Sequence, residues 1–127
     1  MRIYFAIDES LLCQLADESR ISLERVQGLL VFAQTAGWLS AQAEQDPEVL
    51  ADQILHETAS AQNQARFVLV AEVSDSVVSA VPNSPGQVCL AADISLRQIA
   101  AIFVADASGE LSWYGPTELQ TVLDLTD

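Results

Sequence analysis

Arg66-Phe-Val-Leu-Val-Ala-Glu-Val73 carries the clearest strand signal in the chain, and the fold class follows from it. It is apolar, rich in valine and closed by the turn formers Ser74-Asp75-Ser76, so it reads as a strong strand. Downstream the chain keeps this character. A short segment covers Val77 to Val81, Pro82-Asn-Ser-Pro-Gly86 is a loop, and Gln87 to Ala91 is a strand. Ser95 to Gln98 reads as a helical turn and Ile99 to Ala105 as a further strand. Asp106-Ala-Ser-Gly109 reads as a hairpin turn into Leu111-Ser-Trp-Tyr114. Gly115-Pro116 stops that strand, and Thr117 to Leu123 forms a last short helix.

Upstream the period changes. Arg2 to Ile7 is a β-rich run, Asp8 caps a helix carrying Leu11, Leu12 and Leu15, and Ser19-Arg20 closes it. Gly28 to Gln34 is nearly all apolar and predicts a strand covered on both faces. Thr35 caps a short helix with Trp38, Leu39 and Ala43. Asp46-Pro47 then opens a helix to about Gln62, with an apolar stripe at Val49, Leu50, Ile54 and Ala61, Leu55 as a further candidate for it, and Asp52, Gln53, Glu57 and Gln62 outward. The expectation is one α+β domain over 1–127, a layered sandwich of about six strands with two to four helices.

Of the 127 residues, half are hydrophobic, which excludes intrinsic disorder. No apolar run reaches the ~18 residues of a membrane span, and the opening residues do not read as a signal peptide. Eighteen acids against five bases give a net charge of −13, and all five bases are arginine. That balance argues against a direct nucleic-acid partner and suits a soluble cytoplasmic protein, or one meeting a basic partner. Acids scattered along the chain, with only Asp8-Glu9 and Asp17-Glu18 adjacent, make a nucleic-acid mimic a secondary alternative. Cys13 and Cys89 form no ligand pattern, and both are expected to be free thiols acting as small buried hydrophobes.

The chemistry-bearing residues are few. The one histidine, His56, lacks the second histidine four residues on that a zinc-protease helix needs; that position is Ser60. The glycines form no phosphate loop, so the reading assigns no catalytic, metal or cofactor residue. Glu72, set in an apolar strand, is either a carboxyl with a raised pKa or, more simply, an edge residue reaching solvent or an arginine. Trp113 and Tyr114 are adjacent in a strand, so one ring is expected inward and the other outward. With Asp106, Glu110 and Glu118 around them, and Asp124 and Asp127 further on, they form the candidate partner-binding set: an aromatic anchor rimmed by acids.

Arg2-Ile-Tyr, Phe32-Ala-Gln-Thr35, the Arg66-to-Asp75 stretch, Ile94 to Val104 and Leu111-Ser-Trp-Tyr-Gly-Pro-Thr-Glu-Leu119 follow one another across nearly the whole chain. In this order they resemble an uncharacterised family of small acidic actinobacterial proteins ending in Trp-Tyr-x-x-x-Glu-Leu. The layout also resembles the ADP-ribosyltransferase-like fold. That likeness implies an early-strand histidine or arginine and a late glutamate holding a nicotinamide dinucleotide. Tyr4-Phe5-Ala6 offers no histidine, Arg2 stands near the terminus, and Gln98 or Glu110 are only loosely placed as the late group, so the implied set is degenerate. The first expectation is therefore a non-catalytic protein-interaction domain, leaning away from an enzyme. The alternative is a divergent transferase using Glu72 or Glu110 with a nicotinamide dinucleotide.

Overall fold

A computed structural model describes residues 1–43, 45–61 and 65–125. Nine strands and five helices are present among them: β1 (Arg2–Ile7), α1 (Glu9–Glu18), β2 (Arg20–Ile21), α2 (Leu23–Val26), β3 (Val31–Ala33), α3 (Ala36–Ser40), α4 (Pro47–Ala61), β4 (Phe67–Glu72), β5 (Val78–Ala80), β6 (Gln87–Leu90), β7 (Ile94–Ser95), β8 (Ile99–Ala105), β9 (Leu111–Tyr114) and α5 (Leu119–Asp124). The class is α+β as expected. The strands outnumber the six foreseen, since β2 and β7 are two-residue partners 75 positions apart in sequence (Arg20 with Ser95) and carry no local signal.

Seven strands form one antiparallel sheet in the order β5-β6-β3-β1-β4-β8-β9, and β2 pairs with β7 separately. Alternation divides the sheet into two faces. Ile3, Phe5 and Ile7 of β1 and Phe67, Leu69 and Ala71 of β4 face one core, which Leu11, Leu12 and Leu15 of α1 and Leu119 and Val122 of α5 close. Tyr4, Ala6, Val68 and Val70 face a second core closed by Trp38 of α3 and Leu50, Ile54, Leu55 and Ala59 of α4. The molecule is thus three layers, helix on sheet on helix.

The caps act where the sequence places them. Asp8 accepts from the Leu11 amide at 2.9 Å, and Thr35 Oγ1 from the Trp38 amide at 3.2 Å. Asp46 accepts from the Glu48 amide at 3.0 Å, ahead of Pro47 in the first turn. Ser19 ends α1 in the left-handed region at φ 59.

Several expectations change. The Gly28-to-Gln34 strand shrinks to Val31–Ala33, because Gly28 and Leu29 donate to the Arg25 and Val26 carbonyls and are spent on the turn that ends α2. Ala43 lies beyond α3, which stops at Ser40. The buried face of α4 is Leu50, Ile54, Leu55, Thr58 and Ala59. Val49 falls on the opposite side and is 45% exposed, and Ala61 is exposed at the helix end. Gln62 lies outside the described residues. Thr58 is wholly buried and still satisfied, because its hydroxyl donates to the Ile54 carbonyl at 2.8 Å.

Both cysteines are exposed. Cys13 follows Leu11 and Leu12 but points away from the face those residues share with Leu15. Cys89 alternates outward between Val88 and Leu90, which face the first core, so its own side chain lies on the opposite, exposed face. No helix among the described residues is long and apolar enough to cross a membrane.

Candidate functional site

Ala51 sits at the middle of the face that α4 turns to the sheet, where a larger side chain would fill the space. Opposite it, β8 also presents small residues, Ala100 and Ala101. Pairing between β4 and β8 slips there: Val70 faces Ala101 while Ala71 faces Ile99, which leaves Ala100 as an extra, bulged residue. Bulges re-aim side chains and often border functional clefts. The outcome is an open groove of about 390 Å³ between α4 and the β8–β9 half of the sheet, within the size range of ligand pockets.

Tyr4, Val70 and Phe103 contribute the apolar floor, Asp52 stands on the helix side, and Trp113 forms the far wall. Trp113 is directly opposite Phe103 across β8 and β9, so the two rings share one face. Its indole is 61% exposed, the most exposed large hydrophobic side chain among the described residues. Tyr114 turns to the other face, half-buried against the first core and opposite Ile102. One ring is therefore out and its neighbour in, and the two do not share a surface.

At the strand-end mouth of the groove, Arg2 Nε donates to Glu72 Oε1 at 2.8 Å, and the two residues are register partners of β1 and β4. Glu72 thus reaches an arginine, though from the end of a central strand and not from a sheet edge. Both side chains are more than half exposed, so the pair contributes at most about 1 kcal/mol. Burial raises the Tyr4 hydroxyl above its ordinary 10.0, while the Arg2 guanidinium beside it pulls the other way.

The acids of the candidate set bracket β9. Asp106 and Glu110 lie in the hairpin turn before it, and Glu118 follows it. All three are exposed. Asp106 Oδ1 accepts from Ser108 Oγ at 2.6 Å, from the Ser108 amide at 2.8 Å and from the Glu110 amide at 3.1 Å. The bond from the Ser108 hydroxyl, then that from its amide, holds the Asp106 carboxyl below its ordinary 3.8. Glu118 Oε1 accepts from the Gly115 amide at 3.0 Å and fixes the corner after β9. Asp124 lies in α5. Asp127 lies outside the described residues.

The structure does not gather the other candidates. Glu72 and Glu110 stand at opposite strand ends of the sheet, about 24 Å apart by strand rise alone. Gln98 is engaged in a turn, its Oε1 accepting from the Ser95 amide at 2.9 Å. His56 is exposed on α4, with Nδ1 2.9 Å from the Asp52 carbonyl oxygen. Among the described residues no group of three His, Cys, Asp or Glu side chains is placed to hold a metal ion. A second, larger hollow near the start of α1 contains Arg25 and Arg66, but Asp8, Glu9 and Glu24 share it and outnumber them.

The groove itself escaped sequence reasoning. Its residues come from β1, α4, β4, β8 and β9, and the one local clue was the pair of alanines, Ala100 and Ala101, inside an otherwise large-residue strand. No curated protein and no solved structure matches the chain. One family model does, over residues 1–110, a span that holds every element through β8 and stops just before Trp113. By that match the chain belongs to DUF6912, a family of unknown function.

Proposed function

We propose that this chain is a non-catalytic cytoplasmic domain that binds a basic protein partner through Trp113 and the groove beside it. The observation that carries this reading is Trp113, an indole 61% exposed at the wall of an apolar groove, with acids before and after its strand. A ring of this kind supplies buried area to an interface centre, and the acids speed encounter and orient the partner. From Ile99 to Leu125 the chain carries Asp106, Glu110, Glu118 and Asp124 and no base, in a molecule of net charge −13. That field favours a cationic surface and repels nucleic-acid phosphates.

The test is affinity capture from source-cell lysate with three baits: the native chain, Trp113→Ala, and the combined Asp106→Asn, Glu110→Gln and Glu118→Gln variant. Each is run at low and at high salt. The expected result is a small group of basic proteins held by the native chain, lost with Trp113→Ala, and weakened by salt and by charge removal. Identical captured sets for the native and Trp113→Ala baits refute the reading.

A further inference from the structure

The Asp106 amide donates to the Glu110 carbonyl at 2.9 Å, which makes that pair a hydrogen-bonded one of the β8–β9 ladder. On the other side of β8, the Ala105 amide donates to the Arg66 carbonyl at 2.8 Å. In an antiparallel ladder the bonded pairs alternate. Both observations therefore assign Val104 with Ser112, and Ile102 with Tyr114, as the bonded pairs between β8 and β9. Leu111 and Trp113 then turn their N–H and C=O groups away from the sheet. β9 is the terminal strand, and among the described residues no other strand or loop pairs with those four groups. They repeat at about 6.8 Å, the two-residue period of an extended chain.

Resting on the proposed docking at Trp113, we infer that the partner binds as an added strand along β9, through an extended basic segment of another protein. Its backbone completes the ladder at Leu111 and Trp113, and its alternate side chains meet the indole. β9 is about 13 Å long, with Asp106 and Glu110 at one end and Glu118 at the other. The segment that fits has a β-branched centre of about four residues with arginine or lysine on both sides. A second copy of this chain does not fit, because it would bring −13 against −13 and place acids against acids.

The probe is a short peptide with paired arginines at both ends and alternating valine and threonine between, compared with the same peptide N-methylated at alternate central amides. Binding is followed by the Trp113 indole N–H resonance, and amide hydrogen exchange is read at Leu111 and Trp113. With peptide at ~100 times its Kd, exchange at those two amides slows about a hundredfold, and N-methylation weakens binding at least about tenfold. Leu111→Pro removes an outward N–H while leaving the β8 ladder intact, and it weakens the peptide as N-methylation does. A shifted Trp113 resonance with unchanged exchange and no effect of N-methylation overturns strand addition but leaves aromatic docking standing. A Trp113 resonance that ignores the basic peptide at low salt, as it does an acidic counterpart, overturns both.

Discussion

Gly86→Ala tests whether the second core is held as tightly as the structure requires. Gly86 has φ +88, a region that costs an L-residue about 1–2 kcal/mol. A Cβ there would stand 2.7 Å from Trp38 Cδ1 and 3.2 Å from Cγ. Trp38 has little room to yield: it is 4% exposed, and its Nε1 donates to Glu57 Oε2 at 3.1 Å. The Gly86 carbonyl meanwhile accepts from the Ala33 amide at 2.7 Å, so the loop has little room either. Overpacking of this kind adds about 1–3 kcal/mol, for a combined loss of about 2–5 kcal/mol. Gly109→Ala is the matched control, with φ +87 and no atom within 4 Å of the added Cβ, so it carries the strain alone. Urea unfolding of both variants, compared at unchanged m, gives the Trp38 contact as the difference. If Gly86→Ala is no more destabilising than Gly109→Ala, the packing of Trp38 against that loop is wrong as described.

Three further outcomes follow from particular groups. Cys13 and Cys89 react with a thiol reagent in the folded protein, and serine at either position leaves stability within about 0.5 kcal/mol, since both side chains are exposed. Phenol ionisation followed by near-ultraviolet absorbance finds a group titrating above 10.0 that disappears in Tyr4→Phe. Because the folded value is raised, the stability tied to neutral Tyr4 is complete below 10 and is lost as pH climbs through the folded value. Asp106 has the opposite sign: its folded value is depressed, so its contribution is present above 3.8 and is lost as pH falls through the lower, folded value. Protection of the Ser108 and Glu110 amides relative to their intrinsic exchange rates falls over that acid range in the native chain, and is already lower at neutral pH in Asp106→Ala.

What the sequence makes legible here is whatever is decided within a few residues. Asp8, Thr35 and Asp46-Pro47 mark helix starts because a side-chain oxygen satisfies an amide two or three positions on. The split between Trp113 and Tyr114 follows from strand alternation alone. At Cys89 apolar neighbours mislead, because they say nothing about which sheet face is buried. Leu23–Val26 turned into a helix whose final turn takes up Gly28 and Leu29, a competition for backbone bonds that hydrophobicity does not register. The groove depends on a one-residue slip at Ala100 and on Ala51 facing it from α4, and no local pattern encodes a coincidence between residues so far apart.

The position of β1 governs the order in which the molecule can assemble. It comes first among the described strands and lies in the interior of the sheet, between β3 and β4. β3 follows 24 positions after Ile7, but β4 begins only 60 positions after it (67 − 7). At ~5–20 residues per second, a ribosome takes roughly 3–12 s to make that second partner. Through that interval Ile3-Tyr-Phe-Ala-Ile7 has at most one flank covered, although it is strongly β-forming. Nascent chains of this protein therefore present an adhesive strand before the sheet exists to receive it. Their yield of folded product depends on elongation speed and on whatever shields that strand in the meantime.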